Sequence, residues 1–266
     1  MQQKSFIYSN ANIHYQVVGI GKTVVLLHGF GEDGSIWNLQ IAALKHEYRL
    51  IIPDIPGSGQ SDLVTNATIE TYAGIIKALL EIELPTTQTC TMIGHSMGGY
   101  IALAFAAAYP NLLNGLGLVH STAFEDSSEK KEMRSKAITF IENKGAYSFL
   151  RTSIAGLFNE TFWADNKQAM DELIEKSKSF STAALVQYYQ AMINRPERIA
   201  VLKTFLKPVL FIIGEHDKAV PLDSSLAQCY LPAISHVHIL KKSAHMGMIE
   251  ETEKVNRLLN NFLEQV

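Results

Sequence analysis

A serine hydroxyl becomes a useful nucleophile when an imidazole takes its proton and a fixed carboxylate orients that imidazole. Ser96 in GHSMGG, Asp217 in GEHDKAVP and His245 in SAHMGMIEE have the residue types and the chain order for this chemistry. Ser96 has glycine at minus two and plus two, Gly94 and Gly98. In a G-x-S-x-G turn between a strand and a helix, side chains at those two positions would collide as the backbone doubles back. The serine is then forced outward in a strained conformation, a nucleophile elbow. The Met97 N–H, in the first turn of the following helix, points at whatever the serine attacks and brings the positive end of the helix dipole with it. An oxyanion needs a second N–H donor, and Phe30 is placed to give it, in the glycine-flanked loop His28-Gly29-Phe30-Gly31.

Rival assignments exist. Of the nine histidines, His28, His95, His120 and His216 also fall at strand ends. His95 is held inside the elbow, His28 inside its glycine loop and His216 beside the acid. His245 follows the last strand on a small-residue loop with room to act as the base. For the carboxylate, Glu125 or Asp126 is an alternative to Asp217.

The elements that must hold these groups are visible as periodicities. Residues 6–8 and 13–18 read as an edge hairpin turning near Asn10. Continuous apolar runs in TVVLLHGF, YRLIIPD, TCTMIGH, residues 115–120 and KPVLFIIG read as strands buried on both faces, and residues 235–240 read as the last strand. Ile36, Leu39, Ala43 and Leu44 mark a short helix. Ile69, Tyr72, Ala73, Ile76, Leu79 and Leu80 mark another that Pro85 ends, and Val255, Leu258, Leu259 and Phe262 mark a closing helix. Alternating strands and helices predict an α/β fold, a mostly parallel doubly wound sheet of about eight strands with its chemistry at the carboxyl ends.

One region breaks the alternation. Between Ser121 and about Thr204 there is no strand pattern, while Met133, Ala137, Phe140 and Ile141 form one helical stripe and Leu185, Tyr188, Tyr189 and Met192 another. We expect a helical cap, residues 122–204, inserted into a core made of residues 1–121 and 205–266. Its aromatic side chains, with Phe140, Phe158, Trp163 and Tyr188 foremost, offer apolar area for substrate binding.

The 266 residues suffice for one large domain with an insertion, and the formal charge of −3 points to no polyanionic partner. There is no basic run for nucleic acid and no apolar run long enough to span a bilayer. The first residues carry no apolar leader, so a cytoplasmic protein acting on a small-molecule substrate is expected, without nucleic-acid or membrane partners. Cys90 and Cys229, far apart and without metal-ligand spacing, read as buried reduced thiols. The chemistry requires no metal and no organic cofactor. Oligomeric state is left open.

Taken together, HGFGED, DIPGSGQSD, GHSMGGYIAL, GEHDKAVP and SAHMGMIEE stand in the order of the α/β-hydrolase superfamily, which the chain resembles over nearly its whole length. The resemblance implies the nucleophile, acid and base roles of Ser96, Asp217 and His245. A serine rather than an aspartate at Ser96 disfavours haloalkane dehalogenase and epoxide hydrolase chemistry. Ser58 in PGSG stands where many relatives have histidine, and Tyr100 where certain relatives of menaquinone synthesis have arginine.

The expected reaction is acyl transfer to water on a small to medium apolar carboxylic ester. Two alternatives remain. Arg134 and Arg151 could clamp a substrate carboxylate, as in carbon–carbon bond hydrolases of vinylogous diketo acids. The pocket could also serve as a slow-turnover ligand sensor, as in certain receptors that keep the triad.

Overall fold

The hairpin that begins the sheet turns at Ser9 and Asn10, both with positive φ (48° and 68°), the backbone that a two-residue hairpin loop needs to match strand twist. In the computed structural model, which describes residues 1–85 and 88–266, eight strands lie in the order β1-β2-β4-β3-β5-β6-β7-β8. They are β1 (Gln2–Tyr8), β2 (Ala11–Val18), β3 (Lys22–Leu27), β4 (Tyr48–Pro53), β5 (Cys90–His95), β6 (Leu113–Val119), β7 (Val209–Gly214) and β8 (Ser235–Leu240). β1 pairs with β2 and β2 with β4 antiparallel, and every other pairing is parallel. The first two strands start earlier than apolar patterning indicated: β1 opens with polar residues that the ladder pairs with β2, and β2 opens with the buried Ala11.

β5 and β7 are buried along their whole length, as their unbroken apolar runs require, whereas β8 at the sheet edge alternates with exposed positions. The helix Ile69–Glu83 begins with a Thr68/Thr71 capping box, and the closing helix Thr252–Leu263 buries Val255, Leu258, Leu259 and Phe262. In the short helix Asn38–Leu44 the expected stripe is shifted. Leu39 is exposed and Gln40, Ile41 and Leu44 face inward, since Gln40 Nε2 donates to the Met248 carbonyl at 2.9 Å and turns that face down.

Between β6 and β7 the described residues form helices and no strand, from Ser128–Lys144 to Ile199–Thr204. The helix Thr182–Asn194 buries Leu185, Tyr188 and Met192 as its spacing predicts. The helix Ser128–Lys144 follows its stripe only in part: Ile141 is buried as expected, Met133 and Phe140 are exposed, and Arg134 is the other buried residue. A charge decides this rotation. Arg134 Nε donates to Asp126 Oδ2 at 2.6 Å, and its guanidinium stacks over the Tyr189 ring at 5.4 Å. Among the described residues no helix is long and apolar enough to cross a membrane.

Candidate active site

Ser96 sits between β5 and the helix Met97–Ala108 at φ 50° and ψ −116°, a conformation that side chains rarely tolerate. The two flanking glycines make it possible. A Cβ on Gly94 would lie 2.3 Å from the Gly98 carbonyl group, and one on Gly98 would lie 2.4 Å from the Leu27 carbonyl oxygen. The elbow therefore packs directly against the end of β3. The loop after β3 lies equally close, because a Cβ on Gly29 would meet the Ser96 Cβ at 3.2 Å. Among the described residues, neither the Phe30 nor the Met97 N–H has a hydrogen-bond acceptor, which leaves both free for an oxyanion.

The three expected groups meet. His245 Nδ1 is 2.7 Å from Asp217 Oδ2, and His245 Nε2 is 2.9 Å from Ser96 Oγ. A carboxylate at Nδ1 fixes the proton there, so Nε2 carries the lone pair and accepts from the serine hydroxyl. Asp217 Oδ1 accepts the Ala219 and Val220 N–H groups, each at 2.8 Å. Burial alone would raise the Asp217 pKa, but the facing His245 and His120 imidazoles hold it far below the usual carboxylate range. The main chain of His245 is fastened from two sides: its N–H donates to the Leu157 carbonyl of the cap at 2.9 Å, and its carbonyl faces His95 Nε2 at 2.9 Å.

The rival groups have other work. His28 spans its loop, with Nδ1 facing the Gly29 carbonyl and Nε2 accepting the Ile55 N–H, both at 2.9 Å. His216 is exposed and reaches the Lys241 carbonyl at 3.1 Å. His120 accepts the Gly247 N–H on Nε2 at 3.1 Å, which puts its proton on Nδ1, 3.3 Å from Asp217 Oδ2. Burial pushes the His120 pKa down to about 4 despite that carboxylate, so the ring is neutral. His120, Asp217 and His245 also bring potential metal-binding atoms within 4.8 Å of one another, but His245 Nδ1 is hydrogen-bonded to the carboxylate and His120 Nδ1 carries that ring's proton, so neither has a lone pair for a cation. Asp126 is held between Arg134 and Arg195, at 2.6 and 3.0 Å, and Glu125 pairs with Lys131 at the surface.

A cavity of about 360 Å³ lies between the cap and the loops, with Phe30 and Met246 at its catalytic end. Phe158 lines it, together with Phe149, Leu150, Ile154 and Tyr189. The other three expected aromatics lie elsewhere. Tyr188 is fully buried, and its hydroxyl bonds Ser58 Oγ at 2.7 Å and the Pro56 carbonyl at 2.8 Å, bolting the cap helix to the PGSG loop. Trp163 packs behind Phe158 at a ring separation of 6.2 Å, and Phe140 is 42% exposed on the outer face. Phe30 ties loop to cap: its ring stacks on Tyr189 at 4.2 Å and meets Phe149 edge-on at 6.3 Å.

Several wall residues have no place in the sequence analysis, Glu32 and Met246 among them. Glu32 had a usable signal, an acid three residues after Gly29 in a loop rich in unpaired N–H groups; Met246 had none beyond following the base.

Comparison with known proteins agrees with the fold. A family described as alpha/beta hydrolase fold matches residues 22–252. A 2-hydroxy-6-oxononadienedioate/2-hydroxy-6-oxononatrienedioate hydrolase of Pseudomonas putida is 30% identical, over 95% of this chain and 92% of its own. One of the same description from Paraburkholderia phymatum is 28% identical, over 95% and 91%. Among solved structures, a thermophilic esterase from Thermogutta terrifontis superposes with a TM-score of 0.92 at 26% identity, covering 100% of this chain and 99% of that one. An enol-lactonase from Burkholderia xenovorans shares the fold at a TM-score of 0.90 and 20% identity, over 98% and 100%.

Proposed function

The chain belongs to the alpha/beta hydrolase fold family and is a hydrolase, and from that premise we propose that it cleaves a neutral, small to medium apolar carboxylic ester through an acyl-enzyme on Ser96. Ser96 Oγ attacks the ester carbonyl carbon while His245 Nε2 takes the hydroxyl proton. The Phe30 and Met97 N–H groups receive the charge that develops on the carbonyl oxygen. Asp217 stabilises the imidazolium, which then protonates the leaving alkoxide. Water enters, His245 removes its proton, and hydroxide attack on the acyl carbon releases the acid and restores Ser96.

The observation that carries the choice of substrate is the charge of the cavity wall. Among its described lining residues the sole cation is Lys176, at the rim and paired with Asp33 at 2.9 Å, whereas Glu32 adds a carboxylate near the catalytic end. Arg134 is committed to Asp126, and Arg151 is exposed and outside the wall. An anionic substrate would enter with no free cation to receive it. About 360 Å³ of mostly apolar space accepts an acyl or alkyl group of roughly a dozen non-hydrogen atoms at ~30 Å³ each.

A second reading is carbon–carbon bond hydrolysis, favoured by the names of the relatives at 28% and 30% identity, whose substrates are dienedioates. A panel of neutral nitrophenyl esters and one dienedioate separates the two. Hydrolysis of the esters that disappears in Ser96→Ala, along with labelling by a serine-directed phosphonate, is expected. Decay of the dienedioate chromophore with inert esters would overturn the ester reading.

A further inference from the structure

A buried carboxylate and imidazole lie next to the nucleophilic serine, between the two loops that must hold still during acyl transfer. His95 precedes Ser96 and is fully buried. Its Nδ1 lies 2.9 Å from Glu32 Oε2, and its Nε2 lies 2.9 Å from the main-chain oxygen of His245. Both partners accept and neither can donate while Glu32 is ionised. A neutral ring has one N–H, so it would set a lone pair against an oxygen at one of the two contacts and leave a buried acceptor unmet. An imidazolium donates at both. Glu32 Oε2 also accepts the Gly29 N–H at 2.6 Å, and Gly29 precedes Phe30, whose own N–H faces the site. One continuous chain of contacts therefore runs from the oxyanion loop through Glu32 and His95 to the backbone of the general base.

We propose that His95 is held as an imidazolium by ionised Glu32, and that this pair is a positioning unit that locks the oxyanion loop to the main chain of the His245 loop. Its effect on rate rests on the serine-hydrolase reading, whereas the charge state of His95 does not. Burial by itself would favour neutral His95, but the facing Glu32 carboxylate raises its pKa. Burial would likewise raise Glu32, and His95 together with the Gly29 N–H brings it below the usual range. The other ionisable neighbours are the His245 ring at 5.0 Å and the His120 ring at 6.0 Å from His95, Asp217 beyond them, and His28 near Glu32. Neutral His120 adds no opposing charge, and Asp217 adds a second negative one that also favours the cation.

The test is a nitrogen-15 spectrum of histidine-labelled protein, with kinetics of Glu32→Gln beside it. At pH 8 the wild type should show one buried ring with both nitrogens protonated, and Glu32→Gln should convert that ring to the neutral pattern. In the variant kcat should fall on the order of 100-fold, the scale of an ångström misplacement, with KM within about twofold. A neutral His95 in the wild type at pH 8 overturns the proposal, as does Glu32→Gln with unchanged kcat. If Glu32→Gln does not fold, the wild-type spectrum decides alone. A wild type that turns over no ester sinks the ester reading, and the same spectrum still decides the pairing.

Discussion

The loops at the carboxyl ends of β3, β5, β7 and β8 hold the polar groups of the site by hydrogen bonds of 2.6 to 2.9 Å. The cap above them meets the cavity chiefly through aromatic rings 4.2 to 6.3 Å apart, with hydrogen bonds at two points, from the His245 N–H to the Leu157 carbonyl and from the Tyr188 hydroxyl to the PGSG loop. The two modes of contact differ in what they fix. A hydrogen bond to a buried charged group is directional and costly to lose, so it sets atoms within tenths of an ångström. Ring contacts have shallow, broad minima, so the cap can yield to a ligand without losing much packing energy. The floor therefore suits bond making, and the cap suits admission. Within the cap the Asp126–Arg134–Arg195 cluster is a further rigid point, and it holds helices together.

The sharpest way to break this division is to remove the charge of each buried aspartate in turn. Asp217→Asn should lower kcat roughly 10⁴-fold, because the imidazole loses the partner that fixes its tautomer. Asp126→Asn should leave kcat within a few-fold in folded protein while costing about 3 kcal/mol of stability, since Arg134 and Arg195 lose their shared counter-charge. Nitrophenyl ester kinetics and urea unfolding of both variants measure this. The opposite pattern would place the acid in the cap.

A smaller effect, in stability, separates the regions by pH. His120 has its folded pKa at about 4, below the unfolded value of about 6.5, so the unfolded chain binds the extra proton first. Stability from this site is full above pH ~6.5 and declines as pH falls toward 4, by on the order of 3 kcal/mol in total. His95 runs the other way: its raised pKa contributes stability that is full below pH ~6.5 and is lost as pH rises through the folded value. The cap aspartate does neither in that range. Burial would raise the pKa of Asp126, the two arginines bring it below the usual value, and its contribution persists above pH ~4 and goes only as pH falls through the folded pKa. Urea unfolding from pH 5 to 9 should thus show losses toward both ends, and His120→Gln should flatten the acid side between 5 and 6.5. A slope unchanged in that variant would remove His120 from the account.

The smallest effect falls on the aromatic wall. Phe158→Ala should raise KM for the longer acyl esters about tenfold and change kcat less, as expected when a contact shared by ground and transition states is removed. Phe140→Ala, at an exposed position, should change KM, kcat and unfolding free energy by no more than about 0.5 kcal/mol each. Equal effects of the two would mean that the outer helix face reaches substrate after all.

Much of the floor was legible because its demands are local. Gly94 and Gly98 announce an elbow through the two collisions they avoid, and a short β-branched run such as VLFIIG, with Pro before it and Gly at its end, reads as a strand buried on both sides. The cap was legible as helices and not as faces. Met133, Phe140 and Ile141 keep the spacing of a buried stripe, yet of these only Ile141 is buried and Arg134 takes the other interior position, because its ion pair with Asp126 turns that side of the helix inward. Tyr188 shows the same limit: its spacing marked it as inward, but its hydroxyl went to Ser58 and Pro56 rather than to the cavity.

The amino-acid order alone predicted that a hydroxyl, a carboxylate and an imidazole sit at the ends of strands of one sheet, since strand periodicity and glycine sterics act between residues close in the chain. Which carboxylate reaches which imidazole, that His120 shares Asp217 with His245, that Glu32 pairs with His95, and which cap rings wall the cavity were decided only when segments up to about 150 positions apart came together. Hydrogen bonds and ion pairs act over a few ångströms, so no spacing along the chain can record them until folding has brought the partners within reach.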